Sequence, residues 1–194
     1  ERKNPRGLLE AYWREFEGEE SVTLVLKTYG LGFSEAETQK VYKDIVDLKQ
    51  SLGLRRYPNT LVIDYLLSDA DKHSLHESGD CFVSAHRGEG WARCIQEALL
   101  MSKPVIATAL GGIHEYLQPE HYFGIDSKMV QVSEVPYIKF YTSDQMWAEV
   151  DEKQLIKALQ FVYKNRDIST AKGVVAKEFI KSEFSYHKIG EAIK

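Results

Sequence analysis

The order of hydrophobic and polar positions divides the chain into alternating helical and extended segments. After Asn4 and Pro5, apolar side chains recur every three or four residues, which is the spacing of one face of an α-helix. Short runs of consecutive apolar residues are typical of strands buried on both faces. In chain order, the pattern predicts a helix over 4–16, a strand over 21–29, a helix over 34–53, a strand over 59–65, a short helix over 69–77, a strand over 80–85, a helix that ends near 100 and a strand over 103–109.

The pattern beyond residue 110 is less regular. A Gly-Gly turn follows the last of these strands, and short β-like pieces occupy 122–147. A helical tail is predicted from about residue 151, with Asp151 as its N-cap. Earlier in the chain, Ser34 and Glu37 have the spacing of a capping box, and Gly53 ends the same helix.

The alternation of strands and helices indicates the fold class. Parallel strands need a long crossover connection, which a helix usually supplies, so the pattern predicts a doubly wound, Rossmann-like α/β fold with helices on both faces of a parallel sheet. At 194 residues the chain is long enough for one domain with its own core, and we expect a single domain over 1–194. In such sheets, ligands bind beyond the carboxyl ends of the strands.

Composition narrows the function classes. A formal net charge of −4 lacks the basic excess of nucleic-acid-binding proteins, so we expect no nucleic-acid partner. Only Cys81 and Cys94 occur, which indicates a reduced, cytoplasmic setting without a disulfide framework. No apolar run approaches the roughly 20 residues of a membrane span. The chain begins at Glu1 rather than methionine, and we expect it to be part of something longer.

The segment HRGEGWA, residues 86–92, lies where a ligand site is expected, after the strand that ends at Ser84. A glycine-flanked turn that leads into a helix presents free backbone N–H groups and the positive end of the helix dipole, which favours phosphate. Gly88 and Gly90 allow the backbone to approach a ligand closely. The competing segment GLGFSE, residues 30–35, starts like a dinucleotide fingerprint but has Glu35 in place of the third glycine, and no P-loop pattern occurs.

The six histidines have no metal-ligand spacing with each other or with the cysteines, and no Ser-His-Asp signature is present. His86, at the strand end, is expected on the surface or in support of the site. The other five are expected on the surface, in loops or on helix faces: His73, His76, His114, His121 and His187.

Two glutamates, Glu89 and Glu97, lie eight positions apart around the start of the predicted helix. If both were helical they would be about 80° apart around the axis and about 12 Å apart along it, so they would not meet. With Glu89 in the turn and Glu97 about two turns into the helix, both can face one ligand across the helix start. The alternative is that Glu97 pairs with Arg93 on a solvated face. The predicted apolar stripe of this helix consists of Trp91, Cys94, Ile95 and Ala98.

Three segments together carry a family resemblance. Residues 79–117, GDCFVSAHRGEGWARCIQEALLMSKPVIATALGGIHEYL, resemble the signature of the retaining GT-B glycosyltransferases often called family 4. Residues 1–16 resemble the first phosphate-contacting turn and helix of the C-terminal donor-binding domain in that family. Residues 146–166 resemble its W-A-E-P-D segment and the following helix, with Val150 in place of the proline. Residues 92–94, Ala-Arg-Cys, replace the usual Gly-Leu-Pro.

The resemblance implies roles for these residues. Glu89 would be the catalytic residue that faces the donor sugar and stabilises positive charge at its anomeric carbon, and Glu97 would accept hydrogen bonds from the ribose hydroxyls. Lys3 would hold the diphosphate together with the amides after Gly88. The full set of donor-binding residues implied is Lys3, Gly88, Gly90, Trp91, Arg93 and Glu97. The expected base pocket is formed by Lys27, Ile63, Tyr65 and Leu66.

The resemblance also implies the reaction. We expect the donor-binding half of an enzyme of polysaccharide biosynthesis that transfers a hexose, with retention, from a UDP- or GDP-linked sugar to a saccharide or lipid-linked acceptor. No cofactor and no metal ion are expected. The N-terminal acceptor domain would precede Glu1, and any membrane contact would be peripheral and made through that domain. A non-catalytic nucleotide-sugar-binding or scaffold module of the same fold is the alternative, and a related epimerase or phosphorylase is a weaker one.

Overall fold

The structure is a computed structural model that describes residues 1–28, 34–132 and 141–193. The helices in these ranges are α1 (Pro5–Glu15), α2 (Glu35–Leu52), α3 (Asp69–Ser78), α4 (Arg93–Leu100), α5 (Glu152–Lys164), α6 (Arg166–Glu183) and α7 (Tyr186–Ala192). The strands are β1 (Thr23–Lys27), β2 (Asn59–Ile63), β3 (Phe82–Ser84), β4 (Val105–Thr108), β5 (Phe123–Ile125), β6 (Ser127–Gln131) and β7 (Met146–Val150), and a 3₁₀ helix spans Gly111–Glu115.

The predicted helix caps form as expected. The side chains of Asn4, Ser34 and Asp151 each accept a hydrogen bond from the backbone N–H three residues further on, at 3.2, 3.3 and 3.0 Å. These bonds satisfy N–H groups that the first helical turn leaves without partners. Gly53 ends α2 with a left-handed φ of 60°, a conformation that costs glycine little because it has no Cβ.

The strands confirm the predicted α/β class with parallel pairing. β1 pairs in parallel with β2, and β3, β4 and β5 form a second parallel sheet in which β4 is central. Along β4, Ile106 packs into a core with α1 and α5, whereas Val105 and Ala107 pack into another with α4 and α6. Because successive strand side chains point to opposite faces, these two cores cover opposite faces of the sheet, as in a doubly wound fold.

The C-terminal part differs from a purely parallel arrangement. β6 and β7 form an antiparallel ladder from Ser127–Val150 to Gln131–Met146, within the segment expected to be irregular. The helical tail predicted from about residue 151 consists of α5, α6 and α7. Residues 29–33, which include most of the fingerprint-like segment, and residues 133–140 lie outside the described residues.

Helix α1 connects the two parallel sheets. Its Trp13 is fully buried, and its indole N–H donates to the hydroxyl of Thr60 on β2 at 2.9 Å. The hydroxyl of Tyr12 donates to the backbone carbonyl of Asn59 at 2.8 Å. These contacts join the C-terminal half of α1 to the start of β2. None of the helices in the described ranges combines the length and apolar character needed to cross a bilayer.

Candidate functional site

The turn of residues 87–92, here called the site turn, joins the end of β3 to α4. The backbone N–H of Arg87 donates to the carbonyl of Arg2 at 2.8 Å, and the N–H of Ala148 donates to the carbonyl of Arg87 at 2.8 Å. The N-terminal turn therefore lies on one side of the site turn and β7 lies on the other. Residues from three distant parts of the chain meet at the carboxyl end of β3.

The side chain of Arg87 links the site turn to β7. Its guanidinium donates to both carboxylate oxygens of Glu149, at 3.2 and 3.4 Å, and lies 4.8 Å from the ring centroid of Trp147. It also reaches the Glu1 carboxylate at 3.3 Å. Only 15% of the Arg87 side chain is exposed, so this two-pronged ion pair is better shielded than ordinary surface pairs. Sequence reasoning missed it, because no local pattern links residues 62 positions apart.

Glu89 is the carboxylate of the site turn that two cations contact. Its Oε2 accepts from Arg2 Nη1 at 2.9 Å and also pairs with the ammonium of Lys3. Arg2 Nη1 additionally donates to the carbonyl of Gly88 at 2.7 Å. Burial by itself would raise the pKa of Glu89, but the hydrogen bonds and charges of Lys3 and Arg2 outweigh burial and lower it. The carboxylate is therefore ionised at neutral pH, and two cations stand beside it.

The expected phosphate ligand Lys3 thus lies against the expected catalytic residue Glu89 in the structure. Arg2 joins them, although the sequence analysis assigned it no role. The sequence indicated only that Arg2 lies next to Lys3. It did not identify the carboxylate that Arg2 contacts, which is 87 positions away.

The Gly-Gly turn after β4 packs directly on the site turn. The N–H of Gly112 donates to the carbonyl of Glu89 at 3.3 Å, and Gly111 has a left-handed φ of 82°. A Cβ on Gly112 would overlap the carbonyl oxygen of Gly90 and come within 2.7 Å of its carbonyl carbon. A Cβ on Gly111 would likewise overlap the carbonyl oxygen of Glu89, so packing requires glycine at both positions and the left-handed φ favours it further at 111.

Gly88 and Gly90 present the opposite case. A Cβ added at either position would meet no other atom within 4 Å, and neither residue has a positive φ. Neither internal packing nor backbone conformation demands glycine here. The missing side chains leave free space above the turn, which is the space that a ligand close to the backbone would use.

Helix α4 begins later than the sequence pattern suggested. Ala92 is its N-cap, with a left-handed φ of 56° and no side-chain hydrogen bond to the first turn. Trp91 consequently lies in the site turn, 42% exposed, with its ring 4.8 Å from that of Tyr116. Tyr116 also donates to the carbonyl of Ala92 at 3.3 Å. The predicted apolar stripe is wrong for Trp91 and for the exposed Cys94, and the buried face consists of Ile95, Ala98 and Leu99.

Glu97 lies in the second turn of α4 rather than two full turns in, with 40% of its side chain exposed. Arg93 Nη2 donates to Glu97 Oε1 at 3.4 Å, so the pair considered as the alternative interpretation is present. Nε2 of His76, on α3, lies 3.8 Å from Oε2 of the same carboxylate. Arg93 itself is 82% exposed and can move without disturbing the core.

The residues expected to form a base pocket lie together at one sheet edge. Lys27 and Ile63 are register partners at the carboxyl ends of β1 and β2. Tyr65 and Leu66 follow β2 and are 62% and 66% exposed. Burial lowers the pKa of Lys27, partly offset by the charge of Asp64. These four residues form an open surface.

Two histidines are buried: His86, expected on the surface or in support of the site, and His121, expected on the surface, in a loop or on a helix face. His86 is fully buried: its Nε2 lies 3.3 Å from the carbonyl of Leu110 and its Nδ1 lies 3.0 Å from the hydroxyl of Ser84. Because a carbonyl only accepts, Nε2 carries the proton and Nδ1 accepts from Ser84. His121 is buried with its ring stacked 4.2 Å from that of Phe179. Both lie at the ends of apolar segments, and their partners, Leu110 and Phe179 respectively, are distant in the sequence.

The burial of His86 gives a pH prediction. Burial lowers the pKa of His86 in the folded state, although the Leu110 carbonyl partly opposes this shift. Below about pH 6.5 the unfolded chain therefore binds a proton that the folded chain does not, and the free energy of unfolding falls as the pH falls. Denaturant titrations between pH 8 and 5 should show this slope, which for one proton is at most about 1.4 kcal/mol per pH unit. His86→Gln should reduce the slope, and a slope equal to that of the wild type would contradict the assignment.

Within the described ranges, no group of three or more His, Cys, Asp or Glu side chains is arranged to hold a metal ion. Two polar cavities, of about 320 and 430 Å³, lie away from the site turn, beside Arg56 and beside Lys103 respectively. Neither is lined by a predicted site residue.

Solved structures of glycosyltransferases share this fold. HepE from Anabaena, in complex with UDP and glucose, matches with a TM-score of 0.66 at 18% identity over 99% of this chain and 44% of HepE. Sucrose-phosphate synthase from Thermosynechococcus elongatus matches with a TM-score of 0.64 at 18% identity over 99% of this chain and 42% of the synthase. This chain therefore spans less than half the length of either protein.

A third match concerns a separate domain. The C-terminal domain of LpcC, a glycosyl transferase group 1 family protein from Francisella tularensis, matches with a TM-score of 0.67 at 14% identity over 95% of this chain and 81% of that domain. The fold is accordingly that of the C-terminal, Rossmann-like domain of GT-B glycosyltransferases. None of the curated proteins matches the chain. The family model for glycosyl transferases group 1 matches residues 1–132, more than half of the chain, and the chain belongs to that family.

Proposed function

We propose that this chain is the donor-binding domain of a retaining, family 4 type glycosyltransferase, which transfers a hexose from a nucleoside-diphosphate sugar to a glycan or lipid-linked acceptor. The observation that carries the proposal is the site turn: an ionised carboxylate, Glu89, flanked by Arg2 and Lys3, beside the uncapped start of α4. The acceptor would be held by a domain outside residues 1–194.

The diphosphate would bind between the start of α4 and the two cations. The first N–H groups of a helix and its dipole favour an anion, and here no cap side chain occupies that position. Arg2 and Lys3 can turn from Glu89 to the phosphates, because their side chains are 40% and 56% exposed. The open space above Gly88 and Gly90 lets phosphate oxygens reach the backbone. Positive charge beside the diphosphate would stabilise it as the leaving group.

Glu89 would face the sugar and stabilise positive charge that develops at the anomeric carbon. Lys3 and Arg2 lower the pKa of Glu89, so the carboxylate is ionised before the donor binds. Binding of the diphosphate would draw these two cations away and leave the carboxylate free for the sugar. The same movement of Arg2 and Lys3 would thus prepare the site for the diphosphate and for the sugar.

Glu97 would accept hydrogen bonds from the ribose hydroxyls, with Arg93 at the same carboxylate. Two carboxylate oxygens suit a diol, because each accepts one hydroxyl. The base would lie toward Lys27 and Ile63 at the strand ends, with Tyr65 and Leu66 beside them. HepE has been solved with UDP, which supports uridine as the first base to test here.

The test compares two alanine variants. Glu97→Ala should weaken binding of UDP by about tenfold or more, because a lost charge-assisted hydrogen bond costs about 1.5 to 3 kcal/mol. Glu89→Ala should change UDP affinity little, because UDP lacks the transferable hexose that Glu89 would contact. Calorimetry at constant ionic strength measures both, with GDP as the second ligand. Glu77→Ala, which removes an exposed carboxylate on the neighbouring helix, is the matched control. Equal affinities in all variants would refute the ribose assignment.

A further inference from the structure

The helices α3 and α4 meet at Glu97, and both His76 and Lys72 on α3 lie near it. Nε2 of His76 lies 3.8 Å from Glu97 Oε2, while Arg93 lies 3.4 Å from Oε1. Only 15% of the His76 side chain is exposed, and its ring packs at 5.3 Å from that of Phe82 on β3. The imidazole is therefore held in place by packing. Its distance to the carboxylate exceeds a normal hydrogen bond but is within reach of an ion pair.

The charges around His76 come from both of the helices and from the segment before β4. On its own helix, His73 lies one turn earlier and lowers the pKa of His76. Lys72 pairs with Asp69, and the charge of Glu97 also contributes to raising the pKa of Lys72. Lys103 donates to the backbone carbonyl of Glu77.

On the facing helix the charged groups are Glu97 and Arg93. Of the charges around His76, Glu97 is the one that raises its pKa. Glu97 is also close enough to His76 for a direct ion pair, so a charge on His76 can fix the position of the Glu97 carboxylate.

We propose that His76 is a positioning residue for donor binding: its protonated ring holds one oxygen of Glu97 while Arg93 holds the other, and donor affinity rises as the ring takes up a proton. This inference rests on the proposed function, in which Glu97 receives the ribose hydroxyls. With both oxygens held from the helix side, the carboxylate loses fewer rotamers when ribose binds. The added positive charge also favours a ligand that carries a diphosphate.

The direction of the pH effect follows from the surroundings. Burial lowers the pKa of His76, and Glu97 opposes this. At pH 8 the ring is neutral and 3.8 Å is too long for a useful hydrogen bond. As the pH falls through the titration of the ring, the imidazolium forms and the ion pair with Glu97 closes. Arg93 is charged throughout and contributes no pH dependence of its own.

The first test needs no ligand. The ring protons of His76, followed by NMR from pH 8 to 5.5, should titrate at a lower pH in Glu97→Gln than in the wild-type chain, because the neutral amide no longer stabilises the imidazolium. His73 lies on the same helix and pairs with Glu77 rather than with Glu97. An unchanged titration of His76 in Glu97→Gln would refute the coupling, whatever the chain binds.

The second test measures binding of UDP-glucose by calorimetry at pH 8 and pH 5.5. UDP-glucose is suitable because its phosphates are diesters that do not titrate in this range. Wild-type affinity should increase about two- to fivefold on acidification, as expected for one partly exposed ion pair. His76→Gln should bind as the wild type does at pH 8 and lose most of the increase. His73→Gln should keep it.

A substitution that restores the charge separates positioning from packing. His76→Lys should have the higher affinity already at pH 8 and little dependence on pH. Circular dichroism at both pH values checks that each variant is folded. If Glu97→Ala weakens binding but His76→Gln keeps the wild-type pH dependence, the proposal for His76 fails and the proposed function stands. If UDP-glucose does not bind, or binds equally to Glu97→Ala, the proposed function fails and takes this inference with it.

Discussion

Replacing Gly112 by alanine is expected to destabilise the fold and to disorder the site turn. The new Cβ would overlap the carbonyl oxygen of Gly90, and backbone cannot move aside as a flexible side chain can. Overpacking of this kind costs about 1 to 3 kcal/mol, which for a chain of this size lowers Tm by roughly 2 to 12 °C. The hydrogen bond from Gly112 to the Glu89 carbonyl should be lost as well. Differential scanning calorimetry and UDP titration measure the two effects.

Gly88→Ala is the matched control, because it adds the same methyl group to the same turn in open space. Its Tm should stay within about 2 °C of the wild type. If Gly88 borders the diphosphate as proposed, its UDP affinity should nevertheless fall. A Gly112→Ala chain with wild-type Tm would show that the packing between the two turns can relax, and the role assigned to the Gly-Gly turn would be wrong.

Glu89→Gln is expected to abolish sugar transfer when this chain is joined to an acceptor-binding domain. The amide keeps the shape of the side chain but cannot stabilise positive charge at the anomeric carbon, and removing one such electrostatic contact typically costs 10²- to 10³-fold in turnover. UDP affinity should remain equal or increase, because Arg2 and Lys3 are released from Glu89 for the phosphates. Steady-state kinetics with a radiolabelled donor and calorimetry with UDP give the two readouts.

Glu10→Gln serves as the control for removing a charge, since Glu10 lies on α1 and pairs with Arg6 at 3.0 Å. Its turnover should equal that of the wild type. Near-normal turnover of Glu89→Gln would exclude Glu89 as the catalytic residue. If the unaltered chain, joined in the same way, binds UDP but transfers no sugar, the result would favour a non-catalytic binding module, the alternative that the Ala-Arg-Cys sequence at 92–94 suggests.

The local features of the fold could be predicted from the sequence because they depend on neighbours in the chain. The caps at Asn4, Ser34 and Asp151 satisfy N–H groups only three residues away, and each formed where the pattern indicated it. The position of Glu89 in a turn and of Glu97 on a helix follows in the same way from the glycines and the apolar spacing between them. The start of α4 was predicted too early, because α4 begins after Ala92 in a left-handed conformation that a residue with a Cβ seldom adopts.

The contacts that build the site could not be predicted in this way. Arg87 meets Glu149 across 62 positions, and Arg2 meets Glu89 across 87. Arginines and glutamates are common, and any of them could in principle pair, so residue type alone leaves the partner open. The burial of His86 was missed for the same reason: its hydrogen-bond partner at Leu110 belongs to a different strand end.

The sequence by itself determined the alternation of strands and helices, the helix caps and the residue types available at the site turn, because these depend on backbone conformation and local spacing. The tertiary structure decided which distant side chains surround Glu89 and Glu97, and why Gly112 must be glycine whereas Gly88 is free of any packing demand. Backbone hydrogen bonds join the N-terminal turn, the turn after β4 and β7 to the site turn beyond the carboxyl end of β3. Contacts there depend on strand order and register, which are fixed only when the chain folds.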